Sequence, residues 1–444
     1  MKKFIKICLI FCISLYCLLI PYNVFFGDNI VLYGFSYAVR LGEIPYRDFN
    51  IVLPLFSVFL YSLPLYLCNS VITFFITQAV LLTLLFYLLE KQLSYKVYLF
   101  FFFVLLGYPL LLITGLFPGY NYLLFFFLLY LVYLEEKNAN DYLIGFIIGL
   151  SIITKHTIGV FFLLPSFLYY YKDLKKIGKR IIGVAIPCVI FLFYLLVTKT
   201  FTQFLDLCVF GLLDFGSKNH GQVSIFSIFI LFLCLFYFLY IFYKERKISI
   251  VYLFLTILFV IPIFDAYHLS YFIMATALLF ISHISFRKNY KYVFIILSLV
   301  MIGIWTFITF HFKDYQFFSY PRYPLRYMSQ SMRKEYSYID QFQKNSDKET
   351  ILFLLGTENY FYKITNHQKI TYFDLPNYGN YGYDGFSKMK KRIDQQHDVY
   401  FIIFYMDKKR KEYNQQYYVE LADYIKKKGS LVEKENNYMV YYVE

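Results

Sequence analysis

The sequence predicts a polytopic α-helical membrane protein with about eleven transmembrane helices and a small C-terminal extracytoplasmic α/β domain. Three observations lead there. Hydrophobic residues make up 59% of the 444-residue chain and charged residues only 16%, against about a quarter charged in soluble domains. Mean hydropathy is +0.53. Apolar runs near twenty residues recur, and about twenty residues of helix cross a hydrocarbon core ~30 Å thick. The formal net charge of +14 is therefore read by location, as a topology signal, and not as a nucleic-acid footprint.

The runs expected to span are 4–22, 70–89, 97–114, 118–134, 142–154, 157–171, 181–198, 225–243, 248–264, 268–285 and 292–310. A further apolar run, 51–67, carries Pro54 and Pro64 and fits either a kinked span or an interfacial helix. Loop charge decides between them. With 51–67 interfacial and the N-terminus cytoplasmic, 17 basic residues of the membrane part fall inside and 5 outside. Making 51–67 a span reverses every later loop and places most basic residues outside, against the positive-inside bias. The expected first outer loop is thus 23–69, and the tail is extracytoplasmic. The first apolar segment has a basic start but no small-x-small cleavage pattern before Pro21, so it reads as an anchor.

Cysteine usage points away from a disulfide framework. All seven cysteines lie in or beside apolar runs and none lies in the tail. From 311 to 444 the composition changes: the tail holds 21 of 43 basic and 17 of 29 acidic residues. Strands are expected at 351–355, 369–373, 399–405 and 438–443, where β-branched and aromatic residues concentrate. Helices are expected at 386–396 and 411–428, the second ended by Gly429. This alternation predicts an α/β module, and the domain division is 1–310 and 311–444.

Candidate chemistry gathers on the outer face. The first outer loop offers Asp28, Arg40, Glu43, Arg47 and Asp48. Its segment 30–41 has helical spacing, begins after a possible Asp28–Asn29 cap and stops at Gly42. Asp28 reads equally as a cap, and Asp48 as half of a surface pair with Arg47. Lys155 and His156 sit in a tight turn between two spans, at the apolar boundary. A lysine held at depth costs roughly 2.5–3.5 kcal/mol unless paired or wetted; the plainer reading is a snorkelling side chain. Asp265 and His268 are three apart at a helix start, a spacing that also suits a cap. Asp28, Asp48, Lys155, His156, Asp265 and His268 come from three loops on one face, where carboxylates can deprotonate a hydroxyl and cations can hold a phosphate. Residues 199–224 form a further outer loop, with a second interfacial helix expected in its first half. No Walker loop, HExxH or Cys/His cluster is present, so neither ATP-driven transport nor a zinc site is implied.

These features resemble the GT-C superfamily of integral membrane glycosyltransferases, which includes the protein O-mannosyltransferases and the aminoarabinose transferases. The resemblance rests on Asp28, Gly42-Glu43-Ile44-Pro45-Tyr46-Arg47-Asp48, Pro54-Leu55, Gly149-Leu150 leading to Thr154-Lys155, and the Pro262…Asp265…His268 turn. It covers most of 1–310 in architecture. Many relatives have Asp-Glu at the first acid where this chain has Asp28-Asn29, which leaves one carboxylate and puts a divalent metal in doubt.

The resemblance implies inverting sugar transfer in a bacterial plasma membrane, from a polyprenyl-phosphate donor to a glycan, lipid or protein acceptor of the envelope. Asp28 is then the general base, and Asp48 shares that role or positions the acceptor. Lys155, with Arg47 or His156, holds the carrier phosphate; Asp265 and His268 bind sugar hydroxyls or the phosphate. Expected partners are the lipid carrier, the acceptor and envelope-assembly proteins, with no nucleic acid. Two alternatives stay open: a polymerase or ligase of lipid-linked oligosaccharides, and a non-enzymatic flippase.

Overall fold

A computed structural model describes residues 10–12, 28–68, 71–111, 119–213, 225–261, 264, 266–285, 287–312, 315–320, 323–329, 337–339, 341–342, 344–353, 370–372, 381–404, 416–434 and 438–444. The first expected span falls almost wholly outside these residues. Within them the chain is mostly helical, with a small mixed sheet near its end.

The first loop supplies two short helices, α1 (Asp28–Arg40) and α2 (Phe56–Leu67). α1 stops where expected: Gly42 takes φ +90 and the Gly42 and Glu43 amides bond back to Val39 and Ala38, a left-handed cap that suits glycine. The two helices bind through polar groups inside an apolar contact. Ser36 Oγ donates to the Val58 carbonyl at 3.2 Å, Arg40 Nε to Leu65 at 3.1 Å and Tyr66 Oη to Val39 at 2.9 Å. α2 has 12 residues, a rise of about 18 Å, well short of a hydrocarbon core.

Next come α3 (Val71–Leu93) and α4 (Val97–Leu111), separated by a 3₁₀ turn in which Ser94 has φ +55. α5 (Tyr120–Glu136) and α6 (Asp141–Ile152) follow, then α7 (His156–Gly159) and α8 (Leu164–Tyr170) joined by a 3₁₀ turn. α9 (Leu174–Val197) starts before the apolar run because Asp173 caps it, accepting from the Lys176 amide at 3.0 Å. Four basic residues expected in a loop therefore ride on the first turns of this helix. α10 (Phe201–Leu205) leads into a π-helical turn, Asp206–Phe210. The bundle ends with α11 (Ile225–Glu245), α12 (Ile248–Phe254), α13 (Ala266–His283) and α14 (Tyr290–Phe312).

Among the described residues three helical stretches are long and apolar enough to cross a membrane: Ile72–Leu105, which runs through the Ser94 turn, α9 and α11. α9 and α11 turn large apolar side chains outward, with Ile190 64%, Phe193 67% and Phe236 69% exposed. Such surfaces need apolar surroundings. Other expected spans are shorter or broken: α6 has 12 residues, and 156–170 alternates between α and 3₁₀. Hydropathy reads apolarity, whereas helix length also depends on caps and turns. α6 and α9 pack closely because Gly145, Gly149 and Gly183 leave room for the facing backbone.

The tail forms β1 (Tyr315–Tyr320) and β2 (Tyr323–Ser329) as a hairpin. It then forms a five-stranded sheet from β3 (Glu349–Phe353), β4 (Ile370–Tyr372), β5 (Val399–Phe404), β6 (Ser430–Lys434) and β7 (Tyr438–Val443). The order is β4-β3-β5-β7-β6, with β3 parallel to β4 and β5, and β7 antiparallel to β5 and β6. Alternation sorts the two faces. Val399, Phe401 and Ile403 pack with Leu421 and Ile425 of α16 (Gln416–Lys428) and with Met389 and Ile393 of α15 (Gly385–Asp394). Ile402, Tyr438 and Val440 face the other way and join the same buried cluster as the helices.

Contacts between distant segments sort to two ends of the helices. At one end Lys96 donates to the Ser282 carbonyl at 2.8 Å, Tyr169 to Arg246 at 2.8 Å, and Arg180 to Glu135 at 2.6 Å. At the other end Phe56 N donates to Ile153 at 3.1 Å, Cys208 to Ile51 at 3.5 Å, and Lys155 to Asn121 at 2.9 Å.

Candidate functional site

The second of these ends holds most of the residues singled out from sequence. Ile44–Phe49 folds into a tight loop in which Tyr46 takes φ +68 and Pro45 bridges to Phe49. Asp48 is tied into that loop: its Oδ2 accepts from the Ile44 amide at 2.7 Å, and its own amide donates to Ile44 at 2.8 Å. Arg47 grips the same carboxylate with Nε at 2.9 Å and Nη2 at 3.0 Å. This two-point bond raises the Arg47 pKa above its ordinary value. Asp48 is therefore a loop-shaping carboxylate, while the Arg47 side chain remains 53% exposed.

Buried Tyr46 anchors the loop. Its hydroxyl donates to Leu53 at 2.7 Å, and its ring meets Phe204 edge-on at 5.5 Å. Phe204 also contacts Phe191 at 5.3 Å and the His156 ring at 6.4 Å. One aromatic side chain thus joins the first loop, the 153–156 turn and the segment after α9. Tyr46, next in sequence to Arg47, and His156 both touch this ring.

Lys155 lies in the same turn but points into the helices. It is 7% exposed, its ammonium donates to Asn121 Oδ1 at 2.9 Å, and it lies over the Tyr120 ring at 5.4 Å. It is a paired cation at depth, held by the first turn of α5. Both His156 ring nitrogens are buried without a well-formed hydrogen bond, as is Asn121 Nδ2. His268 lies in the first turn of α13, its ring 5.0 Å from that of its neighbour Tyr267. Tyr271 of that helix packs on Phe125 at 5.6 Å, one turn along α5 from Asn121. Asp28 begins α1, but its side chain lies outside the described residues, as does all of Asp265.

The tail closes over this end. Asp206, at the start of the π-helical turn, accepts from the Tyr383 amide at 3.1 Å and from Lys388 Nζ at 2.5 Å. Beside the bond lies a cavity of about 190 Å³ lined by residues including Tyr46, Asn50, Gln203, Tyr381 and Arg392. Among the described residues no group of three His, Cys, Asp or Glu side chains is placed to hold a metal.

Asn121 and Phe204 were not singled out from sequence, and Asp206 was noted only as a polar residue of the 199–224 loop. A signal existed for Asn121: it is an isolated amide just inside an apolar run, after Pro118-Gly119. Phe204 carries no such signal in so aromatic a chain. Compared with known proteins, the sequence matches no family model and no curated protein.

Proposed function

We propose that this chain is an inverting glycosyltransferase of the bacterial envelope, using a polyprenyl-phosphate sugar as donor. One observation carries the reading. Buried Lys155 lies at the same end of the helices as the buried ring nitrogens of His156 and the unpartnered Nδ2 of Asn121, and the His156 ring shares Phe204 with the loop that holds Arg47 and Asp48. A donor-rich, partly dry site suits the phosphate of a lipid carrier, whose charge grows as the sugar departs. The GT-C resemblance in the first loop supports the same chemistry.

In the proposed step Asp28 takes the acceptor hydroxyl proton. The acceptor oxygen bonds to the anomeric carbon, the bond from that carbon to the phosphate oxygen breaks, and the electron pair leaves on the carrier phosphate. Lys155, with Arg47 and His156, stabilises that charge. Asp48 shapes the acceptor side through the loop that it closes, and Asp265 and His268 contact the sugar. The tail orients the acceptor.

The topology belongs to the same proposal: eleven crossings, 51–67 interfacial, the N-terminus cytoplasmic and the tail outside. Its support is that the contacts named above between distant segments join ends assigned to the same side, such as Lys96 with Ser282 inside and Asp206 with Lys388 outside. The short length of α2 agrees. A flippase places charge along a central path, whereas buried Lys155 and Arg180 lie at opposite ends. The test is transfer from a panel of synthetic polyprenyl-phosphate sugars by membranes containing the protein, with products identified by mass. Transfer absent with every donor and envelope acceptor overturns the proposal.

A further inference from the structure

Asn121 is the second residue of α5, a 17-residue helix whose N-cap, Gly119, offers no side chain to its first amides. The side chain is 0% exposed. An ammonium has three donors and no acceptor, so the amide must present its oxygen to Lys155. That fixes its orientation. Nδ2 is then the leftover group: a donor buried without a partner. Such a donor is unfavourable unless an acceptor arrives.

The neighbours are also donors. Lys155 Nζ lies across the Asn121 oxygen at 2.9 Å, and the α5 N-terminus adds the positive end of its dipole. An anion is the ligand that satisfies all of them. We infer that Asn121 is a ligand of the carrier phosphate, its Nδ2 donating to a non-bridging oxygen while its Oδ1 holds Lys155 against the same group. This rests on the lipid-phosphate donor proposed above and adds a residue to that site. The amide has two functions: it aims the cation and contributes a donor of its own.

The plainer role is to solvate a buried lysine, and Asn121→Asp separates the two. A carboxylate pairs with Lys155 at least as well, but it removes the N–H and repels phosphate. The experiment uses the full chain in nanodiscs, titrated with a short polyprenyl monophosphate, the matching polyprenol and inorganic phosphate. Asn121→Asp should bind the polyprenyl phosphate at least ~10-fold more weakly, the scale of one hydrogen bond to a charged group, with polyprenol binding unchanged. Asn121→Ser, which keeps a small polar side chain, should lose in the same direction if the aspartate variant folds poorly. Inorganic phosphate should compete in the wild type and fail in Asn121→Asp, which marks the headgroup as the recognised part. Equal competition in every variant places the phosphate elsewhere and overturns the inference. If both Asn121 variants bind like wild type while Lys155→Met is weakened, Asn121 only supports the lysine; the inference falls and the donor-site reading stands. If Lys155→Met also binds normally, both fall.

Discussion

Lys388 donates to Asp206 at 2.5 Å across 182 residues of chain, and the same carboxylate accepts the Tyr383 amide at 3.1 Å. Immediately before Tyr383 lies Gly382, at φ +77, where an added Cβ would come within 2.4 Å of the Asp206 carboxylate. The α/β module is thus fastened to the helices by a close backbone approach as well as by an ion pair. Asp206 opens a π-helical turn, a feature that often marks functional positions.

These two components of the joint differ in size. Lys388→Ala removes a half-exposed ion pair, worth about 0–1 kcal/mol. Gly382→Val adds a left-handed backbone penalty of about 1–2 kcal/mol and a collision with the carboxylate. Gly382→Val should therefore loosen the module more, read as faster limited proteolysis between helices and module in intact membranes. Equal rates for the two variants would show that the ion pair dominates.

Arg180 anchors the opposite end. It is 0% exposed and reaches Glu135 at 2.6 and 3.1 Å, Asp141 at 2.9 Å and Ser166 at 2.9 Å. Tyr170 and Tyr252 also donate to Glu135, at 3.2 and 3.4 Å. Arg180→Leu strands a buried carboxylate and should cost about 3–5 kcal/mol. Arg180→Lys should recover little, because an ammonium lacks the two-point fork. Adding Glu135→Leu to Arg180→Leu should restore part of the loss. Thermal unfolding in detergent measures all three, and a double variant no better than the single would contradict the assignment.

The α6–α9 pair gives a test of sign. A Cβ at Gly145 would sit 2.0 Å from the Arg180 carbonyl oxygen, and one at Gly183 would sit 2.3 Å from that of Tyr142. Alanine favours helix by about 0.8–1 kcal/mol over glycine, while overpacking costs about 1–3 kcal/mol. Because the obstacle is backbone, the larger cost should win, and both Gly→Ala variants should melt lower. Gly178, with nothing within 4 Å of its Cβ position, is the control: Gly178→Ala should be neutral or stabilising.

Much of the module was legible because strand composition and period are local. The last strand coincides with the 438–443 run, and the 399–405 and 351–355 runs come within two residues of their observed ends. β6 was missed because Ser430–Lys434 is largely exposed and carries no alternating apolar pattern. The glycine that ends α1 could be read, since only local backbone chemistry sets it. The joint at Asp206 could not be read, because its partners lie far along the chain. Asn121 is intermediate: its oddity is visible in sequence, but its meaning depends on Lys155 arriving from another helix.

The decisive prediction for catalysis concerns Asp28. Asp28 is the first helical residue of α1, one past the N-cap position, and asparagine matches aspartate closely in size. Asp28→Asn therefore keeps the side chain's size and removes the base. A general base contributes typically ~10²–10⁴-fold, and the loss should fall mainly on turnover, since the proposed site assigns the donor phosphate to other residues. The variant should fold, insert and bind a polyprenyl-phosphate sugar normally, yet transfer at least ~100-fold more slowly. Lys155→Met should weaken donor binding instead, because the phosphate loses its counter-charge. Single-turnover rates and donor binding, measured on the same preparations, separate the two effects. Near-normal turnover in Asp28→Asn would move the base to Asp48, whose carboxylate would then have to leave Arg47 and the Ile44 amide to act.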